Sequence, residues 1–380
     1  MRRQGKPLRV LVVGGGVAAA ELLLSLRALA EDRVEIELVA PSARLPFRPA
    51  ATTTALDGRS VPEYDLRQIA SDAGARFRLD SVEAVAPRAH RARLASGTAA
   101  GYDALVLAVG ARARVGVPGA LTFRDHRDSP RVAALMNGLG PHSNRLVFVA
   151  PTGVSWTLPL YELALFAAGE LTRRDEQTEI VVLTPENAPL EVFGPGASRH
   201  VASLLRERSI RKVGGSAQYV ARGRVVLSTG EALSADAVVA VPRLVGRRIA
   251  GVPADWNGFV RTDPHGRVAE LEDVYAAGDV TAFPVKQGGI ATQQADVIAA
   301  VLARRAGAAV EPPSGRSVLR ARLLGTDLPC FLRSELDELG RPLPTAAGAA
   351  VSEEAEWWPP AKLFGRHLTP WMATRGLLPV

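Results

Sequence analysis

Three consecutive glycines and a small residue three positions further on, Gly14-Gly15-Gly16 and Ala19, follow the apolar run Leu8-Arg9-Val10-Leu11-Val12-Val13. They open into Glu21-Leu22-Leu23-Leu24-Ser25-Leu26, a helical pattern with a broad apolar face. Residues of these types at this spacing can cradle a pyrophosphate. Gly14 permits the tight turn, Gly16 lets the backbone approach the phosphates, and Ala19 keeps helix and strand close. The helix N-terminus adds free N–H groups and the positive end of its dipole. Val34-Glu35-Ile36-Glu37-Leu38-Val39 supplies the next strand and completes the β–turn–α–β unit in which a glycine pattern becomes informative. An acid is expected after that strand to bind the adenosine ribose of a dinucleotide. This chain instead has Val39-Ala40-Pro41-Ser42, which leaves Ser42 as a weaker acceptor.

The elements that must position this turn are those of a globular α/β protein. The 380 residues suffice for two or three domains, and 47% hydrophobic with 22% charged residues excludes wholesale disorder. The net charge of +7 comes almost entirely from arginine. Only Lys6, Lys212, Lys286 and Lys362 are lysines, so 46 − 4 = 42 basic residues are arginines, a skew that fits a coding bias. The arginines are dispersed and not interleaved with aromatics, so no nucleic-acid partner is expected. The single Cys330 excludes an intrachain disulfide, a CxxC redox pair and a cysteine-ligated zinc site, and is expected to be a buried, inert thiol. His126, His142, His200 and His265 are not paired at ligand spacing, so no metal is assigned; a serine-hydrolase elbow and a Walker A loop are also absent. Arg2-Arg3 and the following apolar run imitate a signal peptide. The run passes into Gly14-Gly15-Gly16 and Glu21 without a cleavage site, so a buried strand and a cytoplasmic protein are expected. No stretch reaches the ~18 apolar residues of a membrane span.

Two later segments narrow the reading. Tyr102-Asp103-Ala104-Leu105-Val106-Leu107-Ala108-Val109-Gly110-Ala111 is a strand ending in a small-residue turn, and Val274-Tyr275-Ala276-Ala277-Gly278-Asp279-Val280 is another ending in Gly-Asp. With the N-terminal turn, they resemble the three FAD-binding signatures of the pyridine nucleotide-disulfide oxidoreductase-like superfamily. Within it the chain is similar to the sulfide:quinone oxidoreductase and type II NADH dehydrogenase branch, from Leu8 to about Ala300. The resemblance implies an α/β fold with two Rossmann-like FAD/NAD(P)-binding domains, the second inserted in the first, and a small C-terminal region. The expected divisions are 1–118 and 258–311 for the FAD domain, 119–257 for the second domain and 316–380 for the C-terminal region, with a linker at Pro312-Pro313-Ser314-Gly315. It also implies residue roles. Gly14, Gly16 and Ala19 would hold the pyrophosphate, and Gly278-Asp279 the ribityl and pyrophosphate region. Ala108 and Gly110 would let the chain pass close to the cofactor, Val82 would meet the adenine, and Arg48, in Phe47-Arg48-Pro49, would lie beside the isoalloxazine. Lys286 and Gln287, at the entrance of a helix through Ala291-Thr292-Gln293-Gln294-Ala295, would lie at the flavin N1–C2=O edge. There a cation and helix-end N–H groups stabilise the negative charge that reduction brings, which makes Lys286 the catalytic candidate.

The second half is less complete. Arg145-Leu146-Val147-Phe148-Val149-Ala150 and Ile180-Val181-Val182-Leu183-Thr184 read as the first two strands of the second domain. Between them lies Pro151-Thr152-Gly153-Val154-Ser155-Trp156-Thr157-Leu158-Pro159, where NADH-using relatives carry a glycine motif. Prolines bring no donor and an indole blocks close approach, so NAD(P)H remains an option with a degenerate site. Glu162 fits the helical glutamate of those relatives. The tail, Trp357-Trp358-Pro359-Pro360-Ala361-Lys362-Leu363-Phe364-Gly365-Arg366, suits packing over the flavin domain or across a homodimer better than a peripheral membrane contact. The expected function is a non-covalent FAD oxidoreductase that passes electrons from a small-molecule donor to a quinone-like or other small acceptor without a redox-active disulfide. The alternatives are an NAD(P)H-dependent reductase of a partner electron-transfer protein and a catalytically degenerate flavin-binding protein.

Overall fold

The structure is a computed structural model that describes residues 6–56, 60–139, 145–313, 316–344 and 351–378. Arg2, Arg3, His142, Ser314 and Gly315, named above, lie outside these residues.

The chain builds two parallel five-stranded sheets. The first runs, edge to edge, Val274–Ala276, Ala104–Leu107, Leu8–Val13, Val34–Ala40 and Arg76–Leu79. Its strands Leu8–Val13, Ala104–Leu107 and Val274–Ala276 are apolar on both faces because helices cover one side and a three-stranded antiparallel sheet, Val82–Ala86, Arg91–Leu94 and Ala99–Gly101, covers the other, while the edge strand Arg76–Leu79 keeps two arginines. The helices Val17–Ala30 and Gly288–Arg305 lie against each other on that covered side, with Ala18, Ala19, Ala20, Leu22 and Leu23 of the first and Ile290, Ala291, Ala295, Ile298 and Ala299 of the second all buried. Small residues dominate this contact, and so the two helix N-termini come close beneath the sheet edge.

The second sheet is Leu121–Thr122, Ala237–Ala240, Arg145–Val149, Glu179–Thr184 and Ile210–Gly214. All of its strands fall in the chain between Ala104–Leu107 and Val274–Ala276 of the first sheet. A two-stranded ribbon, Ala111–Arg114 antiparallel to Arg243–Gly246, carries the chain out of the first unit and back. Gly246 is obligatory there, because a Cβ would stand 1.9 Å from the Gly258 carbonyl oxygen.

After the Gly288–Arg305 helix, the hairpin Ser317–Leu323 with Cys330–Leu336 packs against that helix. The tail then returns over the first unit: Trp357, Ala361, Leu363, Leu368 and Met372 are buried, while Trp358 is exposed. Lys362, part of the tail expected to pack on the protein, is inserted into the interior and paired with Glu162. Among the described residues no helix is long and apolar enough to cross a membrane.

Candidate functional site

The glycine turn is built as its residue types require. Gly14 adopts φ +123°, and a Cβ on it would lie 2.1 Å from the Ala108 carbonyl oxygen. Only glycine permits that approach. The Gly14 amide donates to the Val39 carbonyl at 2.9 Å and the Ala108 amide to Val13 at 2.7 Å, so the turn is stitched to both flanking strands. Gly16 is different: a Cβ there would meet nothing within 4 Å. It caps the Val17–Ala30 helix in extended conformation with no side-chain cap and no acid in the first turn, which leaves first-turn N–H groups free for an anion. Ala19 is fully buried and holds the helix against the sheet.

Segments far apart in sequence converge on this turn. Gly278, at φ +80°, is wedged so that a Cβ would lie 3.3 Å from the Cβ atoms of Ala18 and Ala291. Its amide donates to Gln294 Oε1 at 2.7 Å, and Asp279 is thereby fixed at the end of its strand. The Asp279 carboxyl is pushed above the ordinary aspartate range by burial, and Lys286 and Arg48 pull it back. No hydrogen bond satisfies it among the described residues. A Cβ at Gly288 would lie 2.7 Å from Leu363 Cδ1, 3.7 Å from Val17 Cγ2 and 4.0 Å from Pro49 Cγ. Thus the helix entrance after Lys286, the Arg48-Pro49 loop and the start of the first helix share one place.

Lys286 is half-buried. Its ammonium donates to the Thr281 carbonyl and lies 3.8 Å from the centre of the Phe259 ring, a cation–π contact. Burial lowers its pKa to about 8, against the raising effect of Asp279 and Asp255. Gln287 is committed to structure: its Oε1 accepts from the Ile290 amide at 2.9 Å and its Nε2 donates to the Arg320 carbonyl at 3.1 Å. That leaves helix capping as the work its side chain does. Ser42 is exposed, its hydroxyl accepting from the Arg44 amide at 2.9 Å in a local turn. Arg48 is exposed, close enough to act electrostatically on Asp279, Asp125 and Arg247. Gly110 holds φ +67° in the turn after the strand Ala104–Leu107, and Val82 starts the antiparallel excursion, half-buried.

The second domain has its own acid after the second strand, Glu186, which sequence reasoning passed over. The signal was its position two residues beyond Thr184, the place where Ser42 stands in the first domain. This carboxylate is buried and fully engaged. Thr157 Oγ1 donates to Oε1 at 2.8 Å, Tyr161 Oη to Oε2 at 2.7 Å, and Thr184 Oγ1 to Oε2 at 3.1 Å. Burial pushes its pKa up and these three hydroxyls hold it down. The loop before Thr157 is anchored too: Ser155 Oγ donates to the Pro284 carbonyl at 2.5 Å, and Trp156 leans on Phe193 at 6.0 Å between ring centres.

Glu162 occupies no open cleft. It is fully buried, bonded to Lys362 Nζ at 2.5 Å and Thr52 Oγ1 at 2.7 Å through Oε2 and to the Leu324 amide at 3.1 Å through Oε1. Cys330 is buried, its thiol pushed up by burial to about 11, so it stays protonated.

Comparison with known proteins finds relatives by sequence and by fold. Residues 8–300 match the family model described as pyridine nucleotide-disulphide oxidoreductase. A sulfide-quinone reductase of Aquifex aeolicus is 28% identical over 216 residues, which are 53% of this chain and 49% of that protein. The chain thus spans about half the length of the curated relative it matches. Among solved structures, the sulfide:quinone oxidoreductase of A. aeolicus superposes with a TM-score of 0.79 at 20% identity, covering 91% of this chain and 86% of the other. A ferredoxin reductase of Rhodopseudomonas palustris gives 0.66 at 24% identity, with 86% and 82% covered.

Proposed function

Since the chain belongs to the pyridine nucleotide-disulphide oxidoreductase family, we propose that it is a non-covalent FAD oxidoreductase that receives electrons from a small-molecule donor other than a nicotinamide and delivers them to a quinone-like acceptor. The observation that carries the FAD reading is the convergence of Gly14–Gly16 with Gly278–Asp279. An open backbone turn at free helix N–H groups stands beside a fixed aspartate that lacks a hydrogen-bond partner among the described residues. FAD would supply the two-electron redox chemistry. The protein's part is to bind, orient and charge-stabilise. The turn would take the pyrophosphate, Asp279 would accept hydroxyl hydrogen bonds, and Ala108 and Gly110 would allow close passage. Lys286, with the Gly288–Arg305 helix N-terminus, would hold positive charge at one edge of the ring.

The donor reading rests on Glu186. A carboxylate that already accepts from Thr157, Tyr161 and Thr184 is not available to a ribose, and the loop before it is tied to Pro284. The acceptor reading follows the similarity to proteins named for quinone reduction. The lone Cys330 means that any sulfur substrate would have to react without a dithiol relay. The expected location is cytoplasmic, and the buried anchors of the tail support packing on the flavin domain over membrane attachment.

An anaerobic titration of the yellow protein tests the reading. NADH and NADPH are expected to bleach the flavin slowly and sub-stoichiometrically. Rapid stoichiometric bleaching by NADPH would replace this reading with a nicotinamide-dependent reductase, and a colourless protein that refuses FAD would end both. Lys286→Met is expected to lower the flavin midpoint potential by about 20–40 mV, the equivalent of about 1–2 kcal/mol for a two-electron couple. Spectroelectrochemistry reads it directly, and an unchanged potential would remove Lys286 from the flavin edge.

A further inference from the structure

A second polar cluster lies away from the ligand-facing side, where the two helices Val17–Ala30 and Gly288–Arg305 meet the returning tail. Glu21, fully buried on the first helix, accepts from two tail amides: His367 N to Oε1 at 2.7 Å and Leu368 N to Oε2 at 2.8 Å. It thus caps the short helix Leu368–Ala373 from outside. A Cβ on Gly365 would lie 2.7 Å from Glu21 Oε2, so the tail backbone is pressed onto this carboxyl. Facing it from the second helix is Asp296, whose buried Oδ1, like the Ser25 hydroxyl, makes no well-formed hydrogen bond, although Ser25 and Glu21 both lie close enough to lower the Asp296 pKa. His367 Nε2 is buried and unpartnered as well.

Two carboxyl groups in such a place cannot both carry charge without a counter-ion. The nearby cation, Arg366, acts on Asp296. It also joins burial in keeping His367 neutral by lowering its pKa, so the imidazole brings no second positive charge. We propose that Glu21 and Asp296 share one proton, and that this proton latches the tail onto the helix pair, so that the tail loosens as the pH rises. Burial first and the charge of Asp296 second push Glu21 up to about 8. Burial pushes Asp296 up to about 6, against Ser25, Glu21 and Arg366, which each pull it down. In the loosened state both would titrate as ordinary carboxyls. The latched state therefore holds more protons between about pH 5 and 8, and its stability falls over that window and is level above it.

The tail has other anchors that do not titrate there. Asp72 accepts from Trp371 Nε1 and Arg375 Nη2, each at 2.8 Å, and its pKa is lowered. Tyr64 Oη donates to the Leu377 carbonyl at 2.5 Å, and burial raises that phenol to about 12. Loosening is thus a local opening between Leu363 and Leu368. It matters because Leu363 packs at Gly288 and the Phe364 carbonyl accepts from Thr292 Oγ1 at 2.6 Å, both on the first turns of the helix at the candidate flavin edge.

Hydrogen exchange of the purified, flavin-loaded protein reads this directly. After correction for intrinsic exchange, protection of the His367 and Leu368 amides is expected to fall at least tenfold between about pH 6 and 8, up to about tenfold per pH unit for one proton. Amides of the strand Arg145–Val149 should stay unchanged. Asp296→Asn removes one acid and gives Glu21 an N–H donor, so it is expected to flatten the dependence. Flat protection in the wild-type protein, or an equal fall in Asp296→Asn, would overturn the proposal. If that variant does not fold, infrared spectra of the wild type decide. The C=O stretch of a buried protonated carboxylic acid is expected at about pH 6 and lost by about pH 9, and its absence at pH 6 overturns the shared proton.

Discussion

Lys362→Met is expected to destabilise the protein by about 3–5 kcal/mol, the typical result of leaving one charge of a buried pair uncompensated. Glu162 is fully buried and Lys362 nearly so, and their 2.5 Å contact is reinforced by Thr52 and the Leu324 amide. One carboxylate thereby joins the first unit, the second unit and the C-terminal region. Burial already raises the Glu162 pKa against the pull of Lys362. Without the lysine it would rise further, so the folded state would hold a proton that the unfolded state has released. The loss should therefore grow from acid towards neutral pH. Adding Glu162→Gln to Lys362→Met is expected to recover most of the loss, because a neutral amide can still bond Thr52 and Leu324. Thermal melts of the wild type and both variants at two pH values read both effects. An unchanged melting temperature in Lys362→Met would mean that the ion pair does not hold the domains together.

The second large effect separates two glycines two residues apart. Gly14→Ala should fail as a fold change. A Cβ 2.1 Å from the Ala108 oxygen cannot be accommodated at φ +123° without parting the turn from the strand beside it. Several kcal/mol of stability and all flavin binding are expected to go together. Gly16→Val should behave otherwise. The space over Gly16 holds no protein atom within 4 Å of a Cβ, so the substitution is expected to keep the wild-type melting temperature within about 1 kcal/mol while losing the flavin. Absorbance of bound flavin per protein, measured beside thermal stability, distinguishes the two. A Gly16→Val protein that retains a full complement of FAD would show that the open space is not the pyrophosphate site.

Much of this site was legible because strand-ending turns announce themselves in residue types. Gly14, Gly278 and Gly110 adopt positive φ, and a chain that needs such backbone at the end of an apolar run has few choices besides glycine. The flanking runs were equally plain, since a parallel strand covered on both faces is apolar throughout. The side chains that close these turns were less legible. Gln287 counted as a cofactor contact by position, but a glutamine at a helix entrance can turn to cap the helix, and here it does. Glu186 stands out only through Thr157, Tyr161 and Thr184, which surround it.

Sequence alone determined the chemistry that is absent and the kind of cofactor to expect. One cysteine cannot make a dithiol, and Gly14, Gly16 and Ala19 between two apolar runs are the residue types that a phosphate-binding turn requires. Only the tertiary structure decided what Lys362, Glu162, Glu21 and Asp296 do. A charged residue far along the chain reads as solvated, because in water that is its lowest free-energy state. Whether it is buried depends on a partner supplied by another segment, and no local pattern encodes that partner. The tail, whose residue types suited packing on the protein without saying onto what, is held by Glu162 and Glu21 through contacts 200 and 346 residues apart in sequence.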